Sequence, residues 1–328
     1  MPAFQFRKLV LSAAVMAVWP LAAQTAPAQP NDFIDVFAKL SGEHKGLRKN
    51  HSKGVCAVGD FTASKAATAY FDADLFSGET LPVIYRFSLP GGNPLAPDYA
   101  GVPRGFAAQF SLKNGTKHNI ATLNVPVFAA KDPETFLGLL QASVPGADGK
   151  PDMAKLTAFK AAHPDTKPLE QWLASHQPPF SYATAEYFGI HTFYLNSKQG
   201  EKTKIRWHLQ PHDGVKGLTE AEIAEKKPDF LHQRLAERLQ QGAVSFDWII
   251  SFGEPEDAVN DPSVQWPAQR KTLNAGMLRL TASGDNSCDN INFDPNVLSR
   301  GFSASDDPVL RMRSPAYAIS FGKRLSGQ

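Results

Sequence analysis

The chain has 328 residues, 42% of them apolar, and carries 34 Lys and Arg against 32 Asp and Glu. So even a charge balance excludes a surface built for the phosphates of nucleic acid, and that apolar share excludes a chain too polar to fold. Beyond the N-terminus no stretch offers the roughly twenty apolar residues that a membrane span needs.

Arg7 and Lys8 precede an apolar run over residues 9–23, broken by Pro20 and followed by small residues. Basic, apolar and Ala-rich zones in that order predict a secretory signal peptide over residues 1–28, leaving residues 29–328 as a single domain of a periplasmic or secreted protein. Cys56 and Cys288 are the two cysteines. In an oxidising compartment they can form a bridge; two buried free thiols fit the sequence as well.

Residues 55–61, 81–88, 106–112 and 117–123 are short β-prone runs separated by Gly, Pro and Asn clusters, and predict strands. Asn114-Gly115 signals a hairpin with a type I′ turn, in which both central residues need positive φ. A second hairpin is expected over residues 191–209, turning at residues 196–200. Residues 139–179 form a polar, Pro-rich wrapping segment with a short helix over 168–176. Thr219 and Glu222 make a capping box ahead of Leu231, Leu235 and Leu239, which share one helical face before Gly242 ends it. Val244, Phe246, Trp248 and Ile250 alternate as a strand, with Trp207 and Trp248 assigned to packing. Residues 307–325 have helical spacing interrupted by Pro315. Strands first and helices afterwards predict an α+β fold, an antiparallel β-barrel with flanking helices.

Two distant segments carry the chemistry. Arg48-x-x-His51-x-x-Gly54 runs into the strand at Val58-Gly59-Asp60-Phe61, and Arg313-x-x-x-Tyr317 closes the segment that begins at Asp307-Pro308. One helical turn sets Arg313 beside Tyr317, where a guanidinium stabilises an anionic oxygen. These segments resemble the distal and proximal motifs of the catalase family. Between them Tyr85-Arg86-Phe87-Ser88, Pro103-Arg104-Gly105-Phe106-Ala107, Asn124-Val125-Pro126-Val127-Phe128, Lys131-Asp132-Pro133, Gly189-Ile190-His191-Thr192-Phe193, Val264-Gln265-Trp266-Pro267 and Asn292-Phe293-Asp294-Pro295 are similar to family motifs, in family order.

The resemblance implies haem b, iron protoporphyrin IX, with Tyr317 as iron ligand and Arg313 supporting it. It places Arg48, Arg86 and Arg324 on the two propionates, a match for bidentate, charge-assisted anchoring. His51 becomes the acid and base for peroxide, since an imidazole titrating near about 6.5 can accept and return a proton, and Ser88 fixes its tautomer. Phe128 and Phe136 would line the porphyrin. His191 lies either near the lower haem face or in a purely structural position.

One departure stands out. Where the family has two adjacent asparagines, the first of which orients peroxide, this chain has Leu123 followed by Asn124; Leu123 aligns with the first, and a shifted backbone would let Asn124 fill the site instead. An aliphatic side chain donates no hydrogen bond, so the expected activity is peroxidation of a small organic electron donor by hydrogen peroxide, with weak or absent catalase activity. A true small catalase, a lipid-hydroperoxide enzyme of the allene oxide synthase kind and a non-catalytic haem carrier or sensor are the rivals. Relative to classical catalases the chain is short at both ends, which predicts a monomer or small homo-oligomer.

Overall fold

The computed structural model describes Met1 and residues 27–328; the leader expected over residues 1–28 lies, except at its ends, outside the described residues. From the N-terminus the elements are α1 (Pro30–Ser41), β1 (Gly54–Ala63), α2 (Lys65–Tyr70), β2 (Thr80–Ser88), β3 (Gly105–Ser111), β4 (Lys117–Leu123), α3 (Pro133–Ala142), α4 (Met153–Ala162) and α5 (Lys167–Ser175). There follow β5 (Tyr187–Asn196), β6 (Lys202–Pro211), α6 (Glu220–Ala224), α7 (Leu231–Gln240), β7 (Val244–Phe252), β8 (Thr272–Ser283), β9 (Phe302–Ala304) and α8 (Pro308–Leu325).

The strands run in the order β4-β3-β2-β1-β8-β7-β6-β5-β9, and a further pairing of β4 with β5 closes the first eight into an antiparallel barrel. Closure is slight, a single pair joining Leu123 to Phe188. Side chains that alternate along each strand fill the interior. On β7, Val244, Phe246, Trp248, Ile250 and Phe252 are buried while the residues between them are half-buried. Phe61, Phe110 and Trp248 meet edge-on or stacked at centroid distances of 5.3–5.7 Å, geometry that aromatic quadrupoles favour.

Several details depart from the sequence reading. The β3–β4 hairpin turns on three residues, not two: Gly115 has φ of 84° while Asn114 is not left-handed, and Leu112 N donates to Thr116 O at 3.0 Å across the turn. A three-residue loop needs positive φ at its last position only, which glycine supplies. The segment after Thr219 forms two helices, α6 and α7, separated where Lys226 takes φ of 49°. Pro315 does not interrupt the last helix; α8 runs through it, at the cost of the one N–H that would reach back a turn.

The 139–179 segment holds α4 besides α5. Asp152 caps α4 by accepting from Ala154 N and Lys155 N, yet no residue of α4 is buried, so it lacks the apolar stripe that periodicity detects. Helix α1 gives no clear signal in the sequence, since its Pro30 start falls in a Pro- and Ala-rich region. It buries Phe33, Ile34 and Val36 and packs on α8 and α3. The two cysteines pair: Cys56 on β1 and Cys288 beyond β8 form a disulfide with Cα atoms 5.4 Å apart. No helix among the described residues is long and apolar enough to cross a membrane.

Candidate active site

A cavity of about 1370 Å³, counting its open mouth, lies between the outer face of the barrel and helices α1 and α8. Strand alternation makes its wall. On β2, Tyr85 and Phe87 turn into the barrel core while Arg86 and Ser88, one step out of phase, face the cavity. From α1 come Phe33, Ile34 and Phe37; from α8 come Met312, Arg313, Ala316, Tyr317, Phe321 and Arg324. The lining is mostly apolar with a few convergent polar groups, the usual character of a cofactor pocket.

His51 enters from the turn before β1 with a left-handed backbone, φ 57°, a conformation that a non-glycine residue holds only when its surroundings impose it. The Asn50 carboxamide oxygen imposes it here, accepting from His51 N at 2.9 Å and Gly91 N at 2.6 Å. The ring Nδ1 lies 2.9 Å from Ser88 Oγ. Gly105 permits that approach: a Cβ there would fall 2.7 Å from Ser88 Oγ and 3.1 Å from the His51 ring. Burial first, then the guanidinium groups of Arg86, Arg313 and Arg48, push the imidazole down to about 3. It is therefore neutral through the physiological range, rather than half-charged near its ordinary value.

On α8, Arg313 Nη2 donates to Tyr317 Oη at 2.6 Å, a charge-assisted bond made by i, i+4 spacing. Arg48, Arg86 and Arg324 line the same cavity. Among the described residues, the hydrogen-bond partners of all three are backbone carbonyls: Cys288 O and Ile291 O for Arg48, Ser52 O for Arg86, Ile291 O for Arg324. Burial and then mutual repulsion lower Arg48 to about 9; burial likewise lowers Arg86, to about 10, and Arg324. A cluster of one buried and two half-buried cations without a carboxylate partner calls for an anionic ligand. Two carboxylates of a planar, mostly apolar cofactor meet that need, so these residues fit haem.

Leu123, at the end of β4, lines the cavity. Asn124 does not; its side-chain oxygen accepts from Arg104 N. Phe128 and Phe136 both line the cavity, 4.7 Å apart between ring centroids. His191 is absent from the lining and sits buried behind α8, its Nδ1 2.6 Å from Asp307 Oδ2. Sequence reasoning missed Asn50, Asp307 and the whole of the α1 wall. Only Asp307 had left a signal, an Asp directly before Pro308 that reads as a helix start.

Comparison with known proteins accords with this barrel and cavity. The catalase family model matches residues 24–328. The chain is 43% identical over 302 residues to a catalase-related peroxidase of Synechococcus elongatus, covering 91% of this chain and 89% of that one. Against a catalase-related peroxidase of Mycolicibacterium paratuberculosis it is 33% identical over 297 residues, with 89% and 93% covered. Catalase A of Saccharomyces cerevisiae superposes with a TM-score of 0.77 at 25% identity, covering 86% of this chain. A barrel of eight antiparallel strands with a cation-rimmed cavity against its outer face is the class of protein defined. The chain belongs to the catalase family, and spans about 62% of the length of that yeast enzyme.

Proposed function

We propose that the protein is an exported haem b peroxidase that reduces hydrogen peroxide with a small organic electron donor and has weak or no catalase activity. The observation that carries this reading is one cavity bounded by the His51–Ser88 pair, the Arg313–Tyr317 pair and three guanidinium groups without carboxylate partners. The relatives named catalase-related peroxidase support it further. Bound there, haem supplies the redox chemistry of its iron, and the protein supplies position, electrostatics and proton transfer.

Tyr317 offers the iron its phenolic oxygen, with the Arg313 charge held beside it. Arg48, Arg86 and Arg324 bind the propionates by charge-assisted hydrogen bonds. With Nδ1–H donated to Ser88, His51 presents a free lone pair at Nε2. It would take a proton from one peroxide oxygen and return it to the other, so that the departing oxygen can leave as water, with the two electrons that the O–O cleavage needs drawn from the organic donor by way of the haem. A ring pushed down to about 3 is unprotonated and free to accept at working pH and gives the proton back readily, though as a base it is weaker than an ordinary imidazole. Leu123 lines the cavity and has no hydrogen bond to donate, so a second peroxide molecule lacks a partner there that would orient it.

Export is supported by the basic and apolar leader and by the Cys56–Cys288 disulfide, a bond that persists in oxidising compartments. The test is a steady-state comparison, on haem-loaded protein, of dye oxidation with oxygen release from hydrogen peroxide. Dye turnover in excess of oxygen release is expected; abundant oxygen with negligible dye turnover would make the protein a catalase.

A further inference from the structure

The disulfide plays no part in the proton chemistry, yet it stands directly behind the cations of the cavity. Cys56 is buried on β1 and Cys288 is fully buried, with its N–H directed at Cys56 Sγ at 3.2 Å. From Cys288 the chain runs along the cavity wall. Cys288 O accepts from Arg48 Nη2 at 2.9 Å and Ile291 O from the same nitrogen at 3.0 Å. Ile291 O also takes Arg324 Nη2 at 3.4 Å. Ile291 N folds back on Cys288 O at 3.2 Å, and Phe293, a cavity residue, lies under the Arg48 guanidinium at 5.8 Å. Arg48 and Arg324, two of the four guanidinium groups that line the cavity, are thus aimed by backbone carbonyls of an irregular segment, whose near end is held to the barrel by the sulfur bridge.

We propose that the Cys56–Cys288 disulfide is a positioning element for the anion-binding edge of the cavity. By fixing the 288–293 segment it sets the direction of Arg48 and Arg324, and its loss loosens the hold on a carboxylate-bearing cofactor. This inference rests on the reading of the cavity as a haem site. Long, flexible guanidinium side chains gain most from such fixing, because each ordered rotamer otherwise has to be paid for in entropy on binding.

The experiment follows haem transfer from ferric holoprotein to excess apomyoglobin, comparing wild type with the Cys56→Ala/Cys288→Ala double variant. Haem loss about tenfold faster is expected, the change that about 1.4 kcal/mol of lost anchoring produces. The pair Cys56→Val with Cys288→Ala refills much of the space of the two sulfurs and repeats the measurement without a void. A cycle with Arg48→Leu separates positioning from plain stabilisation: once Arg48 is gone, removing the bridge should change the transfer rate by less than about twofold. Equal transfer rates with and without the bridge overturn the proposal and leave the haem site standing. So does a bridge effect of full size in the Arg48→Leu background. A wild-type protein that takes up no haem overturns the cavity reading, and the proposal with it.

Discussion

His191, on strand β5, places its Nδ1 2.6 Å from one carboxylate oxygen of Asp307, while the other oxygen of Asp307 accepts from Val309 N and Leu310 N at the start of α8. One buried carboxylate therefore joins the barrel wall to the helix that carries Arg313 and Tyr317. Asp307→Ala removes a helix cap and leaves a buried ring N–H unpaired. Together these losses should cost about 2–4 kcal/mol of stability, read as a lower denaturant midpoint. Asp307→Asn, which keeps an acceptor, should cost less; equal losses in the two variants would refute the capping account.

Tyr317→Phe removes the phenolic oxygen that Arg313 addresses. The purified variant should hold less haem and show an altered ferric absorption spectrum. Full haem content with the wild-type spectrum would exclude Tyr317 as the ligand. Arg313→Ala should keep more haem than Tyr317→Phe, since it removes a supporting charge and not the ligand atom itself.

For His51→Ala the expected result is normal haem loading with peroxide consumption slowed by about a hundredfold to ten-thousandfold, the usual worth of a positioned proton carrier. Stopped-flow mixing with hydrogen peroxide measures it. A variant reacting at the wild-type rate would remove His51 from the mechanism.

Leu123→Asn puts an amide donor into the cavity. Oxygen release should rise relative to dye oxidation, and a tenfold shift in that ratio needs only about 1.4 kcal/mol of differential barrier lowering. Asn124→Ala is the control, because Asn124 bonds to Arg104 N and does not line the cavity. It should lower stability and leave the ratio unchanged; the reverse pattern would exchange the roles assigned to the two residues.

Acid should unfold the haem-free protein early. Burial pushes both His51 and His118 down to about 3, against about 6.5 in the unfolded chain. Below that ordinary value the unfolded rings bind protons that the native ones refuse, so stability is complete above pH 6.5 and declines as pH falls towards 3. By pH 5 each ring should have cost about 2 kcal/mol. Urea midpoints measured between pH 7 and pH 5 test this, and a flat profile would contradict it.

The sequence made legible what is local or periodic. The alternation of Tyr85 and Phe87 with Arg86 and Ser88 can be read from a period of two, and Arg313 with Tyr317 from one helical turn. The left-handed backbone of His51 could not be read, because its cause is the Asn50 side chain meeting Gly91 across a fold. Nor could the pairing of Cys56 with Cys288, which are 232 residues apart. Type and spacing showed which residues were chemically capable; long-range register decided which of them meet.

The open edge of β4 has a bearing on how the protein is made. Only Leu123 pairs with β5, and the remaining edge is filled from the far end of the chain. Asn119 N donates to Val297 O, its side-chain nitrogen to Asn292 O and Asp294 O, and His118 lies 3.0 Å from Ser299 Oγ. The same stretch reaches α8 through Asn296, which donates to Leu310 O and Ser314 Oγ. During synthesis the first four strands must therefore wait, with an unfinished edge, until residues near 300 have emerged, a delay typical of folds rich in distant contacts. The segment that finishes the β4 edge also leads into the helix that carries Arg313 and Tyr317, so the edge and the cavity wall should be completed together, late in synthesis.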